Sequence, residues 1–572
     1  MALYSLEHLL DQLEQASHSF GRNGGEPAGK LLAAIGRRSF SDVDLLIRFH
    51  ELLLFIRAYP QSRAIFQLAN KLLSEFHERV AQIQASGVDE SSFDFIENSG
   101  IAGTALYGRY SYGIARWLTE SHYGRVEIDW DRYEKNERLA YVWPRLLPLL
   151  EEDSLVEQNI PYLTWLHSAK PRAATDLRYL VERFDRLAVP SKERSALYDS
   201  LELWLRWNLG ESKASRTNNR TTPHKVFYHT GPLIRRSEVS LDDIIPAPLG
   251  LESLSPGLGQ AVINRCRETS CVRYRELYGI AYGDPSSVVR AEIGRGVEIY
   301  LWGLPPDRRL PLRAYHAGFT LKNGVPINYI EGITLFERME IGFNTFYTYR
   351  DGETAWVYAQ VLRMLHHLTG ASCFSIDPYQ IGLNNDEAIE SGAFWFYRKL
   401  GFRPTRRDLM SLVEREEKKI AAGRGHRTSA RILRRLAEAP MLFEMAYRGA
   451  SPGEWNEFRI RNLGLAVQRR AALQFKGEIE TLRVKSIERV GHALELNPWK
   501  LKGLERLAFD NLALVLDLIP DLADWSRAEK RQMDRIIRAK SGADDAAYAR
   551  LLQRHARLRK ALILIGSDRD RR

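Results

Sequence analysis

Apolar residues at three- and four-residue spacing dominate the first 210 positions of the chain. Ser41 precedes an apolar run that carries Asp42 and Asp44 at its head and reaches Tyr59-Pro60. The pattern predicts a helix capped by Ser41 and stopped by Pro60. In the next segment Ile65, Leu68, Leu72, Leu73 and Phe76 fall on one helix face. Similar periodicity over 154–168, 174–187 and 192–208 extends the reading to an N-terminal helical region over 1–210. Only the glycine-punctuated stretch from Gly100 to Gly113 interrupts it, with no element predicted there. Residues 211–223, ESKASRTNNRTTP, are polar and turn-forming and read as a linker.

Past that segment the period shortens. Residues 297–302, 312–321 and 327–336 are runs rich in aromatic and β-branched side chains, the composition of strands. Asn323-Gly324 between the last two predicts a tight hairpin. A third run, 338–349, continues the meander. A helix follows over about 353–368, ended by Gly370, and then a strand over 372–376, closed by Asp377-Pro378. A second helix over about 386–400 starts after Asn385 as N-cap and stops at Gly401. Beyond Pro404 the pattern is helical and poor in strand signals, with a last helix over 549–564 and a charged tail over 568–572.

Composition narrows the class. A length of 572 residues implies several domains, at roughly 100–200 residues each. A hydrophobic share of 44% with 27% charged residues excludes a disordered chain. No apolar run approaches the roughly 18–20 residues that span a bilayer, and the acidic start MALYSLEHLLDQLEQ lacks a signal-peptide pattern. Cys266, Cys271 and Cys373 are the only cysteines, a sparse and odd number that suits reduced thiols. These features together predict a soluble, bacterial-type cytoplasmic protein. Net charge is +10, but residues 404–572 alone carry +13 and residues 1–403 carry −3. Basicity is therefore a property of the C-terminal third.

Several motifs are superficial. Gly24 to Lys30 matches the first seven positions of a phosphate-binding P-loop, but Leu31 replaces the magnesium-binding hydroxyl residue. Gly257 and Gly259 lack the third glycine of a dinucleotide fingerprint. Cys266 and Cys271, with His224 and His229, do not have zinc spacing, so no metal is expected. His366-His367 suits a helix C-terminus. Tyr349-Arg350-Asp351-Gly352-Glu353-Thr354 is different: it leaves free amides at a helix start, which suits a phosphate group, and Arg350 adds charge. An ordinary turn capped by Asp351 or Thr348 accounts for the same residues.

The segment Ala393-Phe394-Trp395-Phe396-Tyr397-Arg398-Lys399-Leu400-Gly401-Phe402 resembles the end of the GNAT acyltransferase fold. That family typically shows Asn-x-x-Ala-x-x-Leu-Tyr-x-Lys-x-Gly-Phe there, and Ala393, Tyr397, Lys399, Gly401 and Phe402 match it. Glu390 stands in place of the asparagine, and in the family's pyrophosphate loop only Gly352 fits. The resemblance covers roughly 224–404 and is firm over 350–402. It implies an α/β (mixed α+β) fold with a central GNAT-like sheet and flanking helices over 224–404, between all-helical regions over 1–210 and 405–572. It further implies an acyl or aminoacyl group moved from a thioester, with acyl-coenzyme A as donor, to a small-molecule or protein amine. Tyr397 would be the general acid toward the leaving thiolate, a role that suits a phenol. Glu331 would be the base, with Asp377 and His316 as alternatives. Arg350, Gly352, Glu353, Thr354 and Ala355 would hold the donor.

The alternative is a non-catalytic GNAT-like scaffold or adaptor whose helical regions bind a protein or a polyanion. Basic residues at helical spacing motivate the polyanion: Arg431, Arg434 and Arg435; Arg531, Arg535 and Arg538; Arg550, Arg554, Arg557 and Lys560. Such stripes could meet nucleic acid or an anionic surface, but interspersed acids such as Glu414, Glu416 and Glu417 make solvated helix faces the default reading.

Overall fold

The computed structural model describes residues 5–21, 25–151, 153, 161–423, 425–445 and 452–567. Gly24, the start of the helix expected from 154 and the tail from 568 lie outside the described residues. Contacts divide the chain into two units. The first comprises 1–232, 262–282 and 322–326, and the second comprises 233–261, 283–321 and 327–572.

The first unit opens with five helices, Leu6–His18, Gly25–Ile35, Val43–Ala58, Arg63–Ser74 and Phe76–Ala85. Asp42, not Ser41, caps the third: its carboxylate accepts from the Leu45 N–H at 2.9 Å. The region is not all-helical. Strands β1 (Ala105–Arg109), β2 (Val126–Ile128) and β3 (Trp204–Asn208) form an antiparallel sheet in the order β1-β3-β2. In β3 Leu205 and Trp207 are buried while Arg206 and Asn208 are exposed. That period of two sits at the end of a stretch that reads as helix, whose helical part stops at Asp199.

Residues 211–223 are not a linker. Ser215 and Thr217 are fully buried, and Arg216 and Asn219 nearly so. The Thr217 hydroxyl accepts from the Ala102 N–H at 2.8 Å and lies 2.8 Å from His50 Nε2. Arg57 donates to the Thr217 carbonyl at 2.7 Å. The polar side chains that look like turn formers satisfy the buried polar groups of the helix Val43–Ala58.

The second unit is built on a nine-stranded sheet. Its strands are β4 (Glu252–Ser253), β5 (Val289–Gly294), β6 (Val297–Trp302), β7 (Ala314–Lys322), β8 (Val325–Leu335), β9 (Arg338–Thr345), β10 (Cys373–Ile376), β11 (Arg403–Pro404) and β12 (Met441–Glu444). Their order is β11-β12-β10-β9-β8-β7-β6-β5-β4. Asn323 and Gly324 join β7 to β8 with φ of 48° and 78°, as a two-residue turn of the primed type requires. β9 and β10 run parallel, joined through the helix Thr354–Thr369, which ends at Gly370 with φ 80°. β12 lies between β10 and β11 and is antiparallel to both. The C-terminal region is thus not all-helical either: it inserts a strand into this sheet. Three buried apolar residues after Pro440, Met441 to Phe443, carry no periodicity that separates strand from helix.

One face of the sheet carries the helix Thr354–Thr369, with Leu365 near Met339 above Gly332. The opposite face carries Leu335, Cys373 and Leu442, which join Phe458, Val490, Phe509, Ile536 and Leu562 in a common core with the C-terminal helices. Two expected helices are broken. Gly392 with φ 67° splits 386–400 into Asp386–Glu390 and Ala393–Arg398. The last helix becomes Asp545–Gln553 and Ala556–Ser567, with His555 between them.

Candidate functional site

β9 and β10 pair at three positions, Arg338 with Cys373, Met339 with Phe374 and Glu340 with Ser375. Beyond them β10 ends and turns at Asp377-Pro378, while β9 runs on to Thr345. The Gln380 side chain enters the space between the parting strands. Its amide donates to the Ile341 carbonyl at 2.6 Å and its oxygen accepts from the Phe343 N–H at 3.4 Å. One side chain thus takes the place of a neighbouring strand. Gln380 was not foreseen from the sequence, because its partners lie 37 and 39 residues away.

Next to this opening the helix Thr354–Thr369 begins. Glu353 is its N-cap and makes no side-chain capping bond. Val357 N–H to Glu353 C=O, at 2.9 Å, is the first bond of the helix, so the amides of Thr354, Ala355 and Trp356 stand ahead of the ladder. The Gly352 N–H closes a turn onto the Tyr349 carbonyl at 3.1 Å. The Thr354 hydroxyl donates to the Arg350 carbonyl at 3.1 Å, and Ala355 is buried. Glu353 is fully buried, and its carboxylate accepts from the Ile234 N–H at 3.1 Å and from Arg295. Arg350 donates to the Thr345 carbonyl at 3.1 Å, pairs with Glu387 at 2.8 Å and lies 3.9 Å over the Tyr347 ring. The cation expected to face a donor is therefore already met by a carboxylate.

Tyr397 lies on the helix Ala393–Arg398, with 4% of its surface exposed. Its ring stands edge-on to Tyr358 at 5.6 Å and to Phe402 at 5.7 Å, and Phe343 stands edge-on to Tyr358 at 4.9 Å. Burial pushes the Tyr397 phenol above its ordinary range, and Tyr329 adds to the push, so it stays protonated at neutral pH. Glu331 sits part-buried on β8 opposite Gly342, and its carboxylate accepts from the Tyr315 hydroxyl. Burial raises its carboxyl, while the Tyr315 bond works the other way. Among the described residues no hydrogen bond or ion pair joins Glu331 to Tyr397. What relates them is Tyr329, which acts electrostatically on Tyr397 and lies two residues before Glu331 on β8.

Of the alternative bases, one caps a turn and the other is buried. Asp377 caps the turn Pro378–Ile381 by accepting from the Tyr379 N–H at 2.9 Å. His316 is buried, and burial lowers its basicity.

Several other sequence candidates make local contacts. Lys30 lies in a helix and pairs with Glu26 at 2.6 Å. Cys266 and Cys271 are buried in the helix Pro256–Cys271, and burial pushes the Cys266 thiol up to about 12. Among the described residues no three His, Cys, Asp or Glu side chains gather as a metal-binding group. His366 and His367 contact the carbonyls of Ala371 and Ala247 at 2.7 and 2.8 Å. In the basic stripes Arg434 meets Asp386, Arg538 meets Asp534 and Glu505, Arg550 meets Asp544, and Arg557 meets Asp521 and Glu529. Among the described residues no helix is long and apolar enough to cross a membrane. Comparison of the chain with protein-family models, with curated proteins and with solved structures found no match.

Proposed function

We propose that the second unit is an N-acyltransferase of GNAT type, moving an acyl or aminoacyl group from a thioester donor such as acyl-coenzyme A to an amine. The observation that carries this reading is the parting of β9 from β10 beside the uncapped start of the helix Thr354–Thr369. A strand edge with backbone groups open to the gap can pair with an extended, amide-bearing donor. The helix start beside it suits the donor's phosphates. The order of elements, with a helix crossing between parallel β9 and β10 and β12 inserted before β11, agrees with the resemblance carried by Tyr397, Lys399, Gly401 and Phe402.

In this reading Glu331, with its raised carboxyl, takes a proton from the incoming ammonium. The free amine attacks the thioester carbonyl, whose oxygen is stabilised by β9 backbone amides. The carbon–sulfur bond then breaks. The thiolate takes its proton from Tyr397, the nitrogen of the collapsing intermediate returns its surplus proton to the tyrosinate, and the amide product and free thiol leave.

Gln380 has to swing aside for the donor to reach β9. Calorimetric titration of the full chain with acetyl-coenzyme A is expected to show binding that tightens severalfold in Gln380→Ala. Thiol release with amine acceptors is expected to fall about 100-fold in Tyr397→Phe, with the donor KM unchanged. No binding by either form, with thiol release indifferent to Tyr397→Phe, would sink the proposal.

A second reading, a GNAT-like scaffold without transfer, draws on the same gap. Gln380 on the β9 edge, Phe343 against Tyr358, and Arg350 held by Glu387 occupy the positions a donor needs. Absence of binding even in Gln380→Ala would favour it.

A further inference from the structure

A cleft of about 170 Å³ opens on the sheet face of the second unit that points away from the helix Thr354–Thr369. Cavities of roughly 150 Å³ accept a molecule the size of benzene, so this one takes a small metabolite or a headgroup. Ile333 and Leu335 of β8 line it beside their register partners on β9, Glu340 and Arg338.

Its charge is lopsided. Arg313, Arg338, Arg459 and Arg461 face two acids, Glu340 and Asp377. Asp377 is engaged in capping its own turn, and Glu340 acts on Arg313 and Arg338 through its charge, with no hydrogen bond to either among the described residues. Arg459 is anchored on the carbonyls of Asn456 and Phe458 at 2.9 and 2.8 Å. Arg338 donates to the Ser375 hydroxyl at 3.0 Å, but its Nε is buried without a partner. Arg313 is half-buried and Arg461 exposed, and neither side chain has a hydrogen bond or ion pair among the described residues.

A buried guanidinium N–H without an acceptor is costly. Cations of one sign around a low-dielectric cleft also concentrate the field on whatever enters it. An oxyanion in the cleft answers the surplus charge, because its lone pairs match a guanidinium fork. Four arginines against two carboxylates leave a surplus of two charges, the charge of a phosphate monoester. The apolar side of the cleft, Ile333, Leu335, Phe458 and Ile460, suits the organic part.

We propose that this cleft binds a small phosphate monoester, with its phosphate held by Arg313, Arg338 and Arg461 and its carbon skeleton against Ile333 and Leu335. The assignment does not depend on acyl transfer.

The test is calorimetric titration of the full chain with inorganic phosphate and, separately, with acetate, at constant ionic strength. Saturable binding of phosphate is expected, at least tenfold tighter than that of acetate. Arg461→Ala and Arg313→Gln are each expected to weaken it about tenfold, the scale of one charge-assisted hydrogen bond. Glu340→Gln removes a repelling carboxylate and should tighten it. Arg461 is exposed, so its variant tests binding without disturbing the core. No saturable phosphate heat overturns the proposal, as does binding indifferent to Arg461→Ala and Arg313→Gln. Acetate binding as tightly as phosphate reassigns the cleft to carboxylates and overturns it equally.

Discussion

Glu337 lies within the second unit with 1% of its surface exposed, at the turn between β8 and β9. Its carboxylate accepts from Arg559 Nε at 2.9 Å and from Trp455 Nε1 at 2.7 Å. Its own carbonyl accepts from the N–H groups of Ser372 and Cys373 at the head of β10. One residue thus joins the sheet to the last helix. Arg559→Met would strand a buried carboxylate and is expected to cost about 3–5 kcal/mol. Glu337→Gln in the same chain should return part of that loss, because an amide is cheaper to bury than an ion. Urea midpoints of the single and double variants decide it: equal midpoints would show that charge is not the cause.

Chemistry at this scale was legible in the sequence only where a residue acts on its neighbours. Asn385 capping Ala388 at 3.2 Å is local, and so is the Asn323-Gly324 turn. Gln380 on the β9 edge, Thr217 beneath His50 and Arg559 on Glu337 have partners 37 to 222 residues away. Composition and spacing hold no record of such pairings.

Among elements, the hairpin of β7 and β8 is the most tightly specified. The Asn323 side chain donates to the carbonyls of Ala58 and Phe227 at 2.9 and 3.0 Å and accepts from the Phe227 N–H at 2.8 Å. Gly324 has φ 78°, its carbonyl accepts from the Thr221 N–H at 2.8 Å, and a Cβ on it would stand 2.3 Å from the Thr221 carbonyl oxygen. Both the backbone conformation and the close approach demand glycine. Gly324→Ala is expected to cost about 2 kcal/mol or more, measured as a lowered thermal midpoint. A loss below about 1 kcal/mol, the ordinary cost of a strained turn alone, would mean that Thr221 moves away freely. Strands that alternate or meet at an Asn-Gly turn were readable, as were the helix Thr354–Thr369 and its glycine stop. β1, β3 and β12 were not: each has five residues or fewer, too short for a period to declare itself against helical surroundings.

For the whole molecule, pH acts on the first unit through two buried histidines. Burial holds both His50 and His122 at about 4, against an ordinary value of 6.5. The unfolded chain protonates them below about 6.5 and the folded chain only below about 4, so the unfolded state binds more protons between those values. Their contribution is fully present above pH 6.5 and is lost as pH falls toward 4, at about 2 kcal/mol per histidine between pH 7 and pH 5. Asp199, Glu268 and Glu276, whose carboxyls burial pushes up, work in the opposite direction. The double variant His50→Gln/His122→Gln isolates the histidines. Relative to it, the wild-type urea midpoint should fall on going from pH 7 to pH 5. A difference that stays constant with pH would overturn the account.

The chain enters and leaves the first unit repeatedly, through 1–232, then 262–282, then the five residues 322–326. Synthesis runs from the N-terminus, and domains ordinarily fold as they emerge. Here the last five residues of the first unit, 322–326, span the turn between β7 and β8 and are made only after 283–321 of the second. By then more than half of the chain has been made, and strands β4 to β7 are already exposed. Neither unit is a continuous stretch of sequence, so neither can be cut out or exchanged as one piece: a recombination breakpoint anywhere between 232 and 327 divides at least one of them.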